Sequence, residues 1–176
     1  MRSIPDPGFA DDDGAADPAV AAALAAYGGA GPNEPSAHLE ALAAIQDSRL
    51  LVPVVAMLDE LELPVGGEGL PREKSSDMAA VLMTGRDGRT ALLAFTGTAS
   101  LNRWAQSYAG GEARPVPVPA RQAAAAALQD QAAALLVDVA GPVLFVIEAD
   151  NLRSLAAGQR LLRIDEGWAW VQSAGS

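Results

Sequence analysis

The residues best placed to do chemistry are Lys74, Ser75, Ser76 and Asp77, a dense polar cluster directly ahead of the apolar run 79–84. A lysine beside two serines could activate a hydroxyl nucleophile, but such a pair also needs oxyanion donors in an aligned geometry. Nothing in the neighbouring sequence supplies them. The cluster is therefore read as a binding loop or as strand-capping hydrogen bonds, and no catalytic residue is assigned. Arg114 joins it as a candidate contact. It opens Arg114-Pro115-Val116-Pro117-Val118-Pro119, where proline at every second position forbids helix and leaves a rigid segment with little entropy to lose on binding.

The remaining polar residues point to less. His38 is the single histidine, and it lies beside an apolar helical stripe with no second ligand or orienting carboxylate, so it is read as a half-exposed helix residue. Asp11-Asp12-Asp13-Gly14 fails the register of a calcium loop, because with Gly14 sixth, Phe9 and Val20 would fall at the first and twelfth positions. It is read as a solvated acidic run. Gly66-Gly67-Glu68-Gly69 lacks the Gly-Lys-Ser/Thr of a phosphate loop. No cysteine is present, which removes disulfides, thiolate nucleophiles and cysteine-based metal sites. No metal site and no cofactor are expected. Trp168 and Trp170 stand two apart on a strand-like run and share a face, suited to the core or to an interface, a homodimer included.

Charge separates along the chain. Residues 1–85 carry 4 Lys/Arg against 14 Asp/Glu, whereas residues 86–176 carry 8 of each, so the net −10 belongs to the first half. Such a surface repels nucleic acid and anionic membrane and favours a basic protein partner. No run approaches the 18 or so apolar residues of a membrane span, and the N-terminus lacks an apolar signal core, so a cytoplasmic location is expected.

The elements that must position these residues follow from punctuation and period. Residues 1–16 read as an extended acidic arm, 17–158 as the folded domain, and 159–176 as a C-terminal hairpin or tail. Asp17-Pro18 starts a helix ended by Gly28-Gly29, and Leu39, Leu42 and Ile45 stripe a second helix over 36–47. Leu50–Ala56 reads as a strand, placed by Pro53 at an edge or on a bulge. Residues 59–73 read as a mobile loop. Asp87-Gly88 turns a hairpin between 79–84 and 89–95, and Ala140-Gly141-Pro142 turns a second between 134–139 and 143–147. Helices follow each, capped by Thr98 and Asp150, and an alanine-rich helix covers Ala120–Asp130. Leu161–Ile164 and Trp168–Gln172 suit a third hairpin. The fold class is α+β: a single domain with a mixed, mainly antiparallel sheet built from hairpins and helices packed largely on one face.

The stretch from about Ser36 to Gly158 resembles the N-terminal domain of the SseB family, named for enhanced serine sensitivity. The carrying pieces are Arg49-Leu50-Leu51-Val52-Pro53-Val54, Lys74–Ala79, Phe95-Thr96 with Trp104, and Arg114–Ala120. The opening Ser3–Ala10 is similar to the version found in high-GC Gram-positive bacteria. The resemblance implies an α+β bacterial cytoplasmic domain and brings no reaction or ligand with it. The expected function is a non-catalytic interaction or regulatory module; the alternatives are a small-metabolite sensor, of amino acids given the family's name, and a carboxylate-based enzyme.

Overall fold

Asp17 starts the first helix. Its carboxylate accepts the Ala19 amide at 2.7 Å and the Val20 amide at 3.4 Å, and Pro18 opens helix α1 (Pro18–Gly29) where a missing N–H is harmless. The computed structural model describes residues 9–30, 34–57 and 77–173. After α1 come α2 (Pro35–Ile45), β1 (Arg49–Met57), β2 (Asp77–Ala80), β3 (Leu82–Thr84), β4 (Thr90–Ala94) and α3 (Thr98–Ala105). They are followed by β5 (Arg114–Pro119), α4 (Ala120–Gln129), β6 (Ala134–Val137), β7 (Phe145–Glu148), α5 (Ala149–Ala156), β8 (Arg160–Ile164) and β9 (Gly167–Val171).

The strands form sheets in the orders β2-β1-β5, β3-β4-β6-β7 and β8-β9. The three expected hairpin pairings are antiparallel, but the first arm is split. Leu82–Thr84 pairs with β4, whereas Ala79 and Ala80 belong to β2 and pair with β1. Among the described residues β4 with β6 is the parallel pair. Alternation divides the core. Leu50, Val52, Leu92, Ala94, Leu135 and Val137 face α1, α2, α4 and α5, whereas Leu51, Leu93 and Phe95 face α3 with Leu101 and Trp104. Four helices therefore cover one face and α3 the other. No helix among the described residues is long and apolar enough to cross a membrane.

Pro53 does not place β1 at an edge. β1 is the central strand, with Pro53 opposite Pro115 of β5. The reason lies on its other side, where the Val81 amide donates to the Pro53 carbonyl at 3.0 Å. Proline cannot return that bond, and the Val81 carbonyl instead accepts the Leu93 amide at 3.3 Å. Pro53 thus sits where the chain passes from the first sheet to the second. Leu51 and Phe95 then stitch the two sheets together by exchanging both backbone hydrogen bonds, at 2.8 and 2.9 Å.

The alternating prolines of β5 have a related use. Ala120 donates to Ser48 at 3.0 Å, so even-numbered residues of this segment turn their backbone toward β1 and Pro115, Pro117 and Pro119 turn theirs outward. The outer edge of β5 offers no N–H to another strand.

The arm is a second correction. Residues 9–16 have no helix or strand; Asp11 and Asp13 are exposed as expected of a solvated run, but Asp12 between them is docked. Asp12 pairs through both oxygens with Arg49 Nε and Nη2, and the two side chains are 14% and 11% exposed. Arg49 also donates to the carbonyls of Thr96 and Ala15. Two helix starts differ as well. Gly97, not Thr98, holds the cap position of α3, and Glu148 precedes α5, whose Asp150 sits in the first turn paired with Arg153.

Candidate functional site

The parallel pair β4–β6 ends at a cleft. Its register sets Ala94 beside Val137, and the Asp138 amide extends it by donating to the Ala94 carbonyl at 3.0 Å. Beyond those ends the chain turns into α3 on one side and into the β6–β7 turn on the other. The carboxyl ends of neighbouring parallel strands are where α/β sheets commonly leave a crevice.

Asp138 is buried and organises this crevice. Its Oδ1 accepts the Thr96 amide at 2.9 Å and the Ser100 hydroxyl at 2.6 Å, and its Oδ2 accepts the Thr96 hydroxyl at 2.6 Å. A negative charge here meets the amino-terminal end of α3, which no side chain of its own caps. Asp138 also holds φ at +57°, a conformation Asp and Asn tolerate better than other side chains.

The cleft has a volume of about 570 Å³ and mostly apolar walls. Ala21, Leu24 and Ala25 of α1 form one wall and Pro142 and Val143 another, with the arm residues Asp13–Ala16 along the rim. The arm is held there by the Thr98 amide and hydroxyl, which donate to the Gly14 carbonyl at 2.8 and 3.2 Å. Gly97 permits this approach, since a Cβ on it would lie 2.8 Å from the Ala16 nitrogen. Arg103, one turn along α3, lines the cleft and donates to the Ala140 carbonyl at 3.3 Å.

Three of the residues singled out from sequence, Lys74, Ser75 and Ser76, lie outside the described residues, as does the 59–73 loop. Asp77 opens β2 opposite Met57, and Arg114 opens β5 opposite Val54, so the two lie on either side of β1 and three residues apart along it. Arg49, which ties down the arm beside the cleft, opens the same strand, eight residues (roughly 26 Å) from Met57 and five (roughly 17 Å) from Val54. Cleft and cluster are separate places. Trp168 and Trp170 are partly buried against the main core, and the Trp170 indole donates to Asn151 at 3.1 Å. His38 stacks on Phe145 with ring centres 4.6 Å apart and donates from Nε2 to the Val146 carbonyl at 2.9 Å.

The sequence model of the SseB protein N-terminal domain matches residues 20–154. The chain belongs to the SseB N-terminal domain family. The matched span of this SseB domain runs from within α1 into α5 and contains Thr96, Ser100 and Asp138. The arm and the β8–β9 hairpin lie outside it. No curated protein and no solved structure matches the chain.

Proposed function

We propose that this SseB-family chain is a non-catalytic regulatory module, and that its cleft takes a basic, partly apolar segment of a protein partner. The supporting observation is a fixed buried carboxylate among small apolar side chains. A lysine or arginine can lay its methylenes along Ala21, Leu24, Ala25 and Val143 while its charge approaches Asp138, whose Oδ2 accepts a single hydrogen bond among the described residues. Asp13 on the rim and the acidic first half of the chain steer the same kind of partner. The non-catalytic reading rests on the hydroxyls. Thr96 and Ser100 both donate to Asp138, and the one imidazole is engaged on β7.

The test is fluorescence anisotropy with two pools of blocked hexapeptides, one centred on Lys or Arg flanked by Ala, Val and Leu, the other on Glu. The basic pool binds, salt weakens it, and Ala25→Phe, an exposed residue on the cleft wall, removes it without moving the melt. Equal binding of both pools, or binding unaffected by Ala25→Phe, overturns the reading.

A second reading has its own observation. The Ala99 and Ser100 amides at the start of α3 have no backbone acceptor among the described residues, and Arg103 stands one turn on. A free amino acid could set its carboxylate there and its ammonium toward Asp138. Millimolar amino acids in a thermal-shift series decide this: one that raises the melt by several degrees favours it, and none doing so excludes it.

A further inference from the structure

The sheet margins of this molecule are treated unequally. The outer edge of β5 carries prolines, and His38 occupies the Val146 carbonyl on outer strand β7. The margin formed by β2 and β3 has neither device. It runs Asp77-Met78-Ala79-Ala80-Val81-Leu82-Met83-Thr84, with no proline and no charge after Asp77. Natural edges usually carry one or the other.

The two strands share one hydrogen-bonding parity. Val81 turns its amide to Pro53 and its carbonyl to Leu93, and the Gly85 amide donates to the Arg89 carbonyl at 2.8 Å, so odd-numbered residues face inward throughout. Met78, Ala80, Leu82 and Thr84 consequently turn their N–H and C=O groups outward as one row that continues across the change of sheet. None of these eight groups has a backbone partner among the described residues. Three large apolar side chains accompany the row: Met78, Leu82 and Met83 are 51%, 40% and 37% exposed.

We propose that a second copy of this chain pairs with this edge, antiparallel, about a twofold axis passing beside Val81. The row is self-complementary about that point. With Val81 opposite its own copy, Met78 faces Thr84 and Ala80 faces Leu82, and every one of these is an outward-facing pair able to exchange two hydrogen bonds. A charge near the centre of the row would meet its own copy across the axis, and the row has none after Asp77. The dimer is weak because the strip is short, and the net charge of −10 on each copy opposes it. Salt therefore strengthens this association, the opposite of its effect on a basic partner in the cleft, and the two proposals stand or fall separately.

The absence of cysteine supplies a clean test. Chains carrying Met78→Cys are mixed with chains carrying Thr84→Cys at roughly 200 µM and oxidised, while sedimentation follows the unsubstituted chain at low and high salt. Facing residues of a hydrogen-bonded pair lie about 5.5 Å apart at Cα, within disulfide range, whereas position 78 is six residues, about 20 Å, out of register with its own copy. The expected result is a heterodisulfide joining position 78 of one chain to position 84 of the other, well in excess of either homodisulfide, and a dimer fraction that rises severalfold with salt. Leu82→Lys abolishes the dimer. Ala80→Pro, which removes only an outward N–H, does the same and covers any folding defect of the lysine variant. A chain that stays monomeric, a heterodisulfide yield no better than either homodisulfide, or a dimer indifferent to both variants overturns the proposal.

Discussion

Thr96 meets Asp138 twice, with its amide on Oδ1 and its hydroxyl on Oδ2, and this two-point contact joins strand ends that lie 42 residues apart in sequence. Ser100 adds a third bond from inside α3. The carboxylate that follows β6 therefore ties the end of β4 and the first turn of α3 to one point.

Asp138→Ala should be costly. It strands the Thr96 amide and two hydroxyls in a buried place and puts alanine at a positive φ, for a loss of about 3 kcal/mol. Asp138→Asn keeps the shape, tolerates the backbone and retains one acceptor oxygen for the Thr96 amide and Ser100 hydroxyl, while the Thr96 hydroxyl can turn to accept from the new NH2, so its loss is nearer to about 1 kcal/mol. Urea unfolding of both variants measures the gap; equal losses would mean that the carboxylate does not organise the strand ends.

The Asp12–Arg49 pair makes docking of the arm acid-sensitive. The Arg49 hydrogen bonds, helped by the Gly14 amide, hold the Asp12 carboxyl below its usual 3.8. A folded-state pKa that is lowered gives stability present above the ordinary carboxylate range and lost as pH falls through the folded value. Asp12→Ala should remove about 2 kcal/mol at pH 7, or about 4–8 °C of Tm, and little at acid pH. Thermal melts of both proteins across pH 2–7, on the order of one unit per step, test this; an Asp12→Ala loss that persists undiminished at the acid end contradicts it.

Gly97→Ala should undock the arm while sparing the sheets. The added Cβ meets the Ala16 nitrogen at 2.8 Å and the Gly14 carbonyl oxygen at 3.0 Å, both backbone atoms with little room to move. Amide exchange at Thr98, whose proton is held by Gly14, should accelerate by at least about tenfold, with Leu93 and Leu135 unchanged. Retained protection at Thr98 would show that the arm is held by something else.

Replacing Pro115 and Pro117 with valine should expose a second edge. Each substitution adds an outward N–H to β5 where there is now none. The melt should change by no more than about 4 °C, while light scattering at high concentration rises. Unchanged scattering would mean that the prolines serve something other than edge protection.

Local rules reached most of this fold and little of the cleft. Asp17-Pro18, Asp87-Gly88 and the apolar runs around them each carry their instruction within a few residues, and the structure follows them. Pro53 was misleading because its missing donor is used at a fork between sheets, a tertiary event with no trace in neighbouring residues. Asp12 looked solvated because its partner, Arg49, is 37 residues away. Thr96, Ser100 and Asp138 have no shared period or motif. Only the parallel register of β4 and β6 brings them together, although Phe95-Thr96 does stand among the pieces that carry the family resemblance.

The most direct measurement of the central claim, that the cleft is the binding seat, is a nuclear magnetic resonance titration of the isotope-labelled chain with a blocked Lys-centred hexapeptide flanked by Ala, Val and Leu. The account predicts saturable amide shifts concentrated at Thr96, Ala99, Ser100 and Val143, lost in Ala25→Phe and absent with the Glu-centred peptide. Shifts that cluster instead around Asp77 and Arg114 on either side of β1, or that never saturate, would contradict it.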